Sequence, residues 1–262
     1  MSRFKLTIEY EGTRYSGWQI QKNARTVQGE LVAALRRALE VKELDLSGSG
    51  RTDAGVHALG QVAHLEVRTV LAPEIIRMRA NDLLPPDINI IEVEKAPPGF
   101  HSRHDAIGRQ YLYQISRRRT ALGKRFVWWV KDPLDISLMR GAAAAFSGMK
   151  DFRTFTDDDP EEKSTVAKID EIVIRESGDL VLLRFRGSHF LWKLVRRMVG
   201  VIAQAGRGKL PVDRVPELLR DESAPASRLT APPSGLFLEK VYYPGDHVRT
   251  DLPSPMSVRH ER

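Results

Sequence analysis

Apolar and polar residues alternate at the start of the chain. Every second residue from Phe4 to Tyr10 is apolar, and a period of two predicts a half-buried β-strand. The apolar positions within residues 26–41 recur instead at helical spacing, which predicts an amphipathic helix. That stripe consists of Val27, Leu31, Ala34, Leu35, Ala38 and Leu39. The chain is therefore expected to begin with a strand followed by a helix.

The remaining patterns predict two halves that each mix strands and helices. In the first half we expect strands at 61–67 and 88–94 and, between them, a helix at 73–83 with proline in its first turn. In the second half the predicted strands are 109–116, 126–130, 168–175, 179–186 and 236–242, and the predicted helices are 135–147, 188–205 and 212–220. These elements predict an α+β fold whose halves share a mostly antiparallel sheet with helices packed on it.

The domain boundaries follow from the same patterns. Residues 1–105 are expected to form an N-terminal half and residues 106–245 a C-terminal half. After Pro244 the composition becomes polar and contains further prolines, so residues 246–262 are predicted to be a loose tail.

The chain carries an excess of positive charge. Its 41 lysines and arginines against 34 aspartates and glutamates give a net charge of +7, which favours a polyanionic partner such as nucleic acid. The absence of cysteine excludes disulfides, thiol nucleophiles and thiolate metal sites. The sequence has neither an apolar leader nor an apolar run long enough to cross a bilayer. We therefore expect a cytoplasmic protein with no membrane partner.

A glycine-rich segment, residues 48–58, carries the most specific chemistry. Its sequence is Gly-Ser-Gly-Arg-Thr-Asp-Ala-Gly-Val-His-Ala, and glycines let a backbone come close to a ligand. Asp53 is its only acidic residue, and Arg51, two residues away, is close enough to keep a carboxylate ionised. Asp53 is therefore either a nucleophilic acid or part of an Asx turn that caps backbone amides.

Residues 50–58, followed by Gly60, Gln61 and Val62, resemble the signature loop of the TruA family of tRNA pseudouridine synthases. The resemblance implies that Asp53 is the catalytic nucleophile of an isomerase, which converts uridine to pseudouridine in the anticodon stem-loop of tRNA at positions 38–40. It also implies the pseudouridine synthase fold, with two related RRM-like or ferredoxin-like halves, an active site in the cleft of a central sheet, and a homodimer. No cofactor is expected, because the reaction is a redox-neutral isomerisation.

Two further segments resemble motifs of the same family. The strand motif around Tyr111 places on this residue the role of contacting the target base, and the helix motif of residues 188–200 places on Arg196 the role of pairing with Asp53. From the residues alone, Tyr111 is more typical of a core aromatic, and Arg196 of the solvated side of an amphipathic helix. Arg51 is expected to fill the space left in the RNA stem or to bind a phosphate.

Two other functions fit parts of the sequence. A non-catalytic RNA-binding protein with two RRM-like halves would also be basic, although no RNP sequence is present. The acidic run at residues 157–162 would suit a metal-dependent nuclease, but consecutive acidic side chains rarely converge on one ion. His101 and His104 have a spacing that suits zinc, without the cysteine or the H-E-x-x-H motif of a zinc site. We assign no metal.

Overall fold

The computed structural model describes residues 1–221, 226–248 and 250–256. The chain divides into two compact units. The first consists of Met1–Ile107 with Phe237–Asp246, and the second of Gly108–Leu236 with the residues from His247 onward. The last predicted strand, residues 236–242, was assigned to the C-terminal half by the sequence pattern. In the structure its residues from Phe237 onward are grouped with the first unit.

The strands of the first unit position the glycine-rich segment. Strand β1 (Ser2–Tyr10) lies between β3 (His57–Val67) and β4 (Ile88–Lys95) and is antiparallel to both. Strand β2 (Asp45–Gly48) is antiparallel to β3, and the final strand, β10 (Leu236–Tyr242), is parallel to β3. Strands β2 and β3 form a hairpin, and residues 49–56 connect them.

The helices of the first unit follow the predicted apolar stripe. Helix α1 (Val27–Leu39) buries the six stripe residues, and the hydroxyl of Thr26 caps its start by accepting from the Gly29 N–H at 3.3 Å. Such a cap satisfies a backbone donor that has no partner within the helix. Helix α2 (Pro73–Asn81) packs against α1 and β4. The alternation in β1 is also confirmed, since its apolar residues from Phe4 to Tyr10 are all buried.

The second unit is built on a second set of paired strands. Strand β5 (Gly108–Ser116) is antiparallel to β9 (Leu180–Gly187), which pairs with β8 (Val166–Ser177), and β8 pairs with β7 (Gly148–Asp151). The short strand β6 (Trp128–Trp129) runs parallel to β5. Helix α3 (Ile136–Ala144) packs against α4 (Leu194–Gly206), and α5 (Val215–Leu218) is a single turn.

The predicted α+β class and the mostly antiparallel pairing are confirmed. The helix predicted from residue 188 begins only at Leu194, because Lys193 has a φ of +62° and cannot continue a right-handed helix. Within the predicted tail, the hydroxyl of Ser254 donates to Gln114 on β5 at 2.6 Å. The tail residues 249 and 257–262 lie outside the described residues. None of the described helices is long and apolar enough to cross a membrane.

Candidate active site

The connection between β2 and β3 is held by the backbone on both sides of Asp53. The Trp18 N–H donates to the Thr52 carbonyl at 3.1 Å, and the Gly55 N–H donates to the Tyr15 carbonyl at 3.4 Å. These bonds tie residues 52–55 to the segment that follows β1. The loop therefore has a fixed backbone on either side of its only acid.

Asp53 begins a tight turn within this connection. The Val56 N–H donates to the Asp53 backbone carbonyl at 3.1 Å, and Gly55 has a φ of +79°, a conformation that favours glycine. The Asp53 side chain is partly buried, whereas Arg51 is exposed. The backbone carbonyl of Asp53 therefore closes this turn.

Two glycines before the loop allow this close backbone contact. A Cβ at Gly17 would meet the Thr52 carbonyl oxygen at 2.6 Å, and Gly17 itself has a φ of +92°. A Cβ at Gly12 would meet the Val56 carbonyl oxygen at 1.9 Å. Neither distance is possible for a side chain, so glycine is required at both positions for the loop to take this shape.

Buried polar side chains fix the ends of the same loop. At its start, the Ser49 hydroxyl donates to Gln61 Oε1, and Gln61 Nε2 donates to the Gly50 carbonyl, both at 3.0 Å. At its end, the Gly12 N–H donates to Nδ1 of His57 at 3.0 Å, which places the proton of a neutral His57 ring on Nε2. Sequence reasoning gave no role to Ser49, Gln61 or His57. All three are buried and stabilise the loop.

Tyr111 lies on β5 in the second unit. Its ring is partly exposed and meets Phe190 edge to face, with the ring centroids 5.1 Å apart. Its strand neighbour Tyr113 is fully buried, and the Tyr113 hydroxyl donates to the Pro232 carbonyl at 2.8 Å. Tyr113 is therefore the core tyrosine of this strand, and Tyr111 retains access to solvent.

Arg196 lies in the first turn of α4. Its Nε donates to the Ala231 carbonyl at 2.8 Å, and the Ala231 N–H donates back to the Arg196 carbonyl at 3.0 Å. Burial raises the pKa of the Tyr113 phenol well above its usual range, and the nearby charge of Arg196 partly opposes that shift. The Arg196 guanidinium is thus anchored along one edge and partly exposed.

The acidic run holds the start of α4. We call Asp157 and Asp158 the acidic clamp. Asp157 pairs with Arg197, whose side chain is only 3% exposed, and with Lys193 Nζ at 2.7 Å. Asp158 accepts from the Trp192 N–H at 2.9 Å. The clamp therefore holds the backbone of Trp192 and the side chains of Lys193 and Arg197, which flank Arg196.

The four predicted site residues are divided between the two units. Asp53 and Arg51 belong to the first unit, and Tyr111 and Arg196 to the second. The pairing of Asp53 with Arg196 stays a prediction. Among the described residues, no group of three or more histidine, aspartate or glutamate side chains is arranged to hold a metal ion.

The chain is similar to known proteins over most of its length. A family model described as tRNA pseudouridine synthase matches residues 6–105 and 142–244. The tRNA pseudouridine synthase A of Myxococcus xanthus is 40% identical over 246 residues, which cover 93% of this chain and 92% of that protein. The protein of the same name from Citrifermentans bemidjiense is 42% identical over 246 residues, covering 93% and 98% of the two chains. Among solved structures, a chain of the archaeal Nop10–Cbf5 complex aligns with a TM-score of 0.36 and 16% identity, over 78% of this chain and 43% of that one.

Proposed function

We propose that this chain, which belongs to the tRNA pseudouridine synthase family, isomerises uridines of the tRNA anticodon stem-loop at positions 38–40. Asp53 is the nucleophile or base, Arg196 orients it, and Tyr111 and Arg51 bind the RNA. The observation that carries the proposal is the loop around Asp53, in which hydrogen bonds on both sides fix the backbone while the carboxylate stays partly accessible.

The reaction requires a fixed carboxylate. The N1–C1′ bond of uridine breaks, the uracil turns, and C5 is joined to C1′, while C5 releases its proton and N1 takes one up. Breaking the glycosidic bond builds cationic character on the sugar, as in glycoside hydrolysis. Asp53 either attacks C1′ or removes a proton from the sugar so that a glycal forms. Alternatively, it adds to C6 of the uracil. Both routes require the uridine to leave the base stack.

The reaction is tested by tritium release. Transfer RNA labelled at uridine C5 loses tritium when pseudouridine forms, so wild-type protein is expected to release it. Substrates in which positions 38, 39 and 40 are changed to cytidine singly and together locate the target. Release that survives the triple change would contradict the proposed positions. Tight binding without release from any tRNA would favour the non-catalytic RNA-binding alternative.

The geometry of the acidic run argues against the nuclease alternative. The carboxylates of Asp157 and Asp158 are engaged by Lys193, Arg197 and the Trp192 N–H. A divalent ion would have to displace these partners. Chelator-sensitive RNA cleavage is therefore not expected.

Tyr111→Phe is expected to retain stacking on the target base and to lower the rate. If the hydroxyl takes part in proton transfer, its loss should reduce kcat on the order of 10²-fold, the lower end of the range for such groups. Single-turnover tritium release with saturating enzyme measures this step. The matched control is Tyr113→Phe on the same strand, which removes the hydrogen bond to the partly buried Pro232 carbonyl and should lower the melting temperature instead. A wild-type rate for Tyr111→Phe would reduce Tyr111 to a packing residue.

We also propose that the protein is a homodimer in the cytoplasm. Both proposals rest on the family, whose members act on tRNA. Light scattering after size-exclusion chromatography should give twice the monomer mass. A mass that remains that of one chain across the micromolar range would contradict the dimer.

A further inference from the structure

A cavity of about 240 Å³ lies in the first unit, beside the start of the loop that carries Asp53. Four of its lining side chains are arginines or histidines, namely Arg51, His101, Arg103 and His104. No carboxylate is found among the described residues that line it. The volume falls below the range of roughly 300–1,000 Å³ that suits drug-sized ligands. It fits a compact polar group better than a whole nucleoside.

We propose that this cavity binds a phosphodiester of the RNA substrate next to the target uridine. The proposal rests on the proposed function, because it places the RNA backbone beside the Asp53 loop. Phosphate contacts of this kind position a nucleic acid without reading its sequence.

Three histidine rings form a row, and two of them, His101 and His104, line the cavity. The ring centroids of His64 and His101 are 4.6 Å apart, and those of His101 and His104 are 4.2 Å apart. His101 Nδ1 accepts from the backbone N–H groups of Arg103 and His104 at 3.2 and 3.3 Å. The proton of the neutral His101 ring is therefore on Nε2, and the ring keeps one donor for a ligand.

Two histidines of the row have lowered pKa values. Burial and then the neighbouring His104 lower the pKa of His101, and burial and then His101 lower the pKa of His64. The Asp105 carboxylate acts in the opposite direction on both rings, and that of Asp45 on His64, but neither aspartate lines the cavity. An anion bound beside these rings would favour their protonated forms. The histidines are thus suited to receive a phosphate.

A glycine marks where the ligand would approach. A Cβ at Gly50 would meet no atom within 4 Å, and Gly50 does not have a positive φ. Neither packing nor backbone conformation therefore requires glycine there. Gly48 contrasts with it, because a Cβ at Gly48 would meet the Trp18 ring at 2.7 Å. Gly50 lines the cavity, so its missing side chain leaves room for a ligand at the backbone.

The test is the salt dependence of tRNA binding. Loss of one phosphate contact should reduce the slope of log Kd against log salt concentration by about 0.7 to 0.9. We expect this reduction, with several-fold weaker binding, for Arg103→Gln and for Gly50→Ala. The matched controls are Arg36→Gln on the exposed side of α1 and Gly99→Ala. A Cβ at Gly99 also meets nothing within 4 Å, and Gly99 does not line the cavity. Slopes for Arg103→Gln and Gly50→Ala that equal those of the controls would overturn the proposal.

A second experiment distinguishes a site for an RNA phosphodiester from a site for free phosphate. Inorganic phosphate is titrated into the protein while the ring signals of His101 and His104 are followed by NMR. Saturable shifts that disappear in Gly50→Ala, together with the reduced tRNA slopes, support the RNA site. The same shifts with unchanged slopes would make this a site for free phosphate and overturn the proposal. Tritium release is measured in a separate experiment. Reduced salt-dependence slopes without tritium release would support the phosphodiester site and contradict the proposed isomerase activity.

Discussion

Asp53→Asn is expected to abolish tritium release while the protein remains folded and binds tRNA. The substitution keeps the size of the side chain and removes the charge that either route requires, so we expect a loss of about 10⁴-fold or more in kcat. The backbone bonds that shape the loop come from Thr52, Gly55 and the Asp53 carbonyl. Because the side chain does not make these bonds, the loop should keep its backbone shape in the variant.

The control for this variant is Asp213→Asn, the same chemical change at an exposed aspartate of the second unit. It should release tritium at the wild-type rate. Mass spectrometry of the Asp53→Asn protein excludes deamidation back to aspartate. Turnover above about one part in a hundred, in protein free of deamidated chains, would contradict the assignment of Asp53 as nucleophile or base, since that loss is the lower end expected for a general acid or base.

Asp157→Asn is expected to destabilise the second unit. Arg197 is 3% exposed, and its pair with Asp157 is the charge partner that compensates its burial. Removing one member of a buried pair costs about 3–5 kcal/mol, but Asp157 itself is 34% exposed, so solvent screens part of the loss. We expect about 2 kcal/mol, a fall of roughly 4–8 °C in the melting temperature.

The matched control for the acidic clamp is Asp132→Asn. Asp132 is 35% exposed and also pairs with one arginine and one lysine, Arg207 and Lys209. Its arginine is 23% exposed, compared with 3% for Arg197. Water can therefore reach the charge left behind, and the fall in melting temperature should be clearly smaller. Equal falls for the two variants would contradict a special role for the buried Arg197.

The contribution of Asp157 to the free energy of unfolding should decrease at low pH. Burial raises the pKa of its carboxyl, but the hydrogen bonds from Lys193 and Arg197 outweigh this and hold the pKa below its ordinary value of 3.8. The charged pair therefore stabilises the folded protein fully above that value, and the contribution is lost as pH falls through the lower folded pKa. The difference in unfolding free energy between wild type and Asp157→Asn should shrink below about pH 4. A constant difference from pH 7 to pH 3 would contradict the ion pair as its cause.

The sequence predicted the elements whose apolar period is regular. The alternation up to Tyr10 and the stripe of α1 depend only on local spacing, and both elements lie within two residues of their predicted bounds. Strands β2 and β7 were not predicted, because each has only four residues and no clear alternation. Pairing with β3 and β8 makes them strands, and that pairing is not visible in a local pattern.

The candidate site was predictable only where a motif marked it. Asp53 was singled out as the single acid among glycines, but the catalytic role predicted for it, like that of Arg196, came from the family resemblance. Arg197 gave no signal, since the helical pattern of residues 188–200 does not distinguish a solvated arginine from a buried one. Its burial depends on Asp157, 40 residues earlier. The same long-range contact explains the acidic run, which as a sequence is typical of a hydrated loop.

The position of β10 has a consequence for how the chain is made. The first unit needs Phe237 and its neighbours to pair with His57 at the start of β3, and these residues are synthesised after nearly all of the second unit. While a nascent chain lacks them, that end of β3 has an unpaired edge, and such edges favour association between chains. A chain truncated before residue 236 should therefore aggregate even though every residue of the Asp53 loop is present. The support of the Asp53 loop is thus completed only after nearly all of the second unit has been synthesised, and chains truncated before residue 236 cannot finish the unit that carries this aspartate.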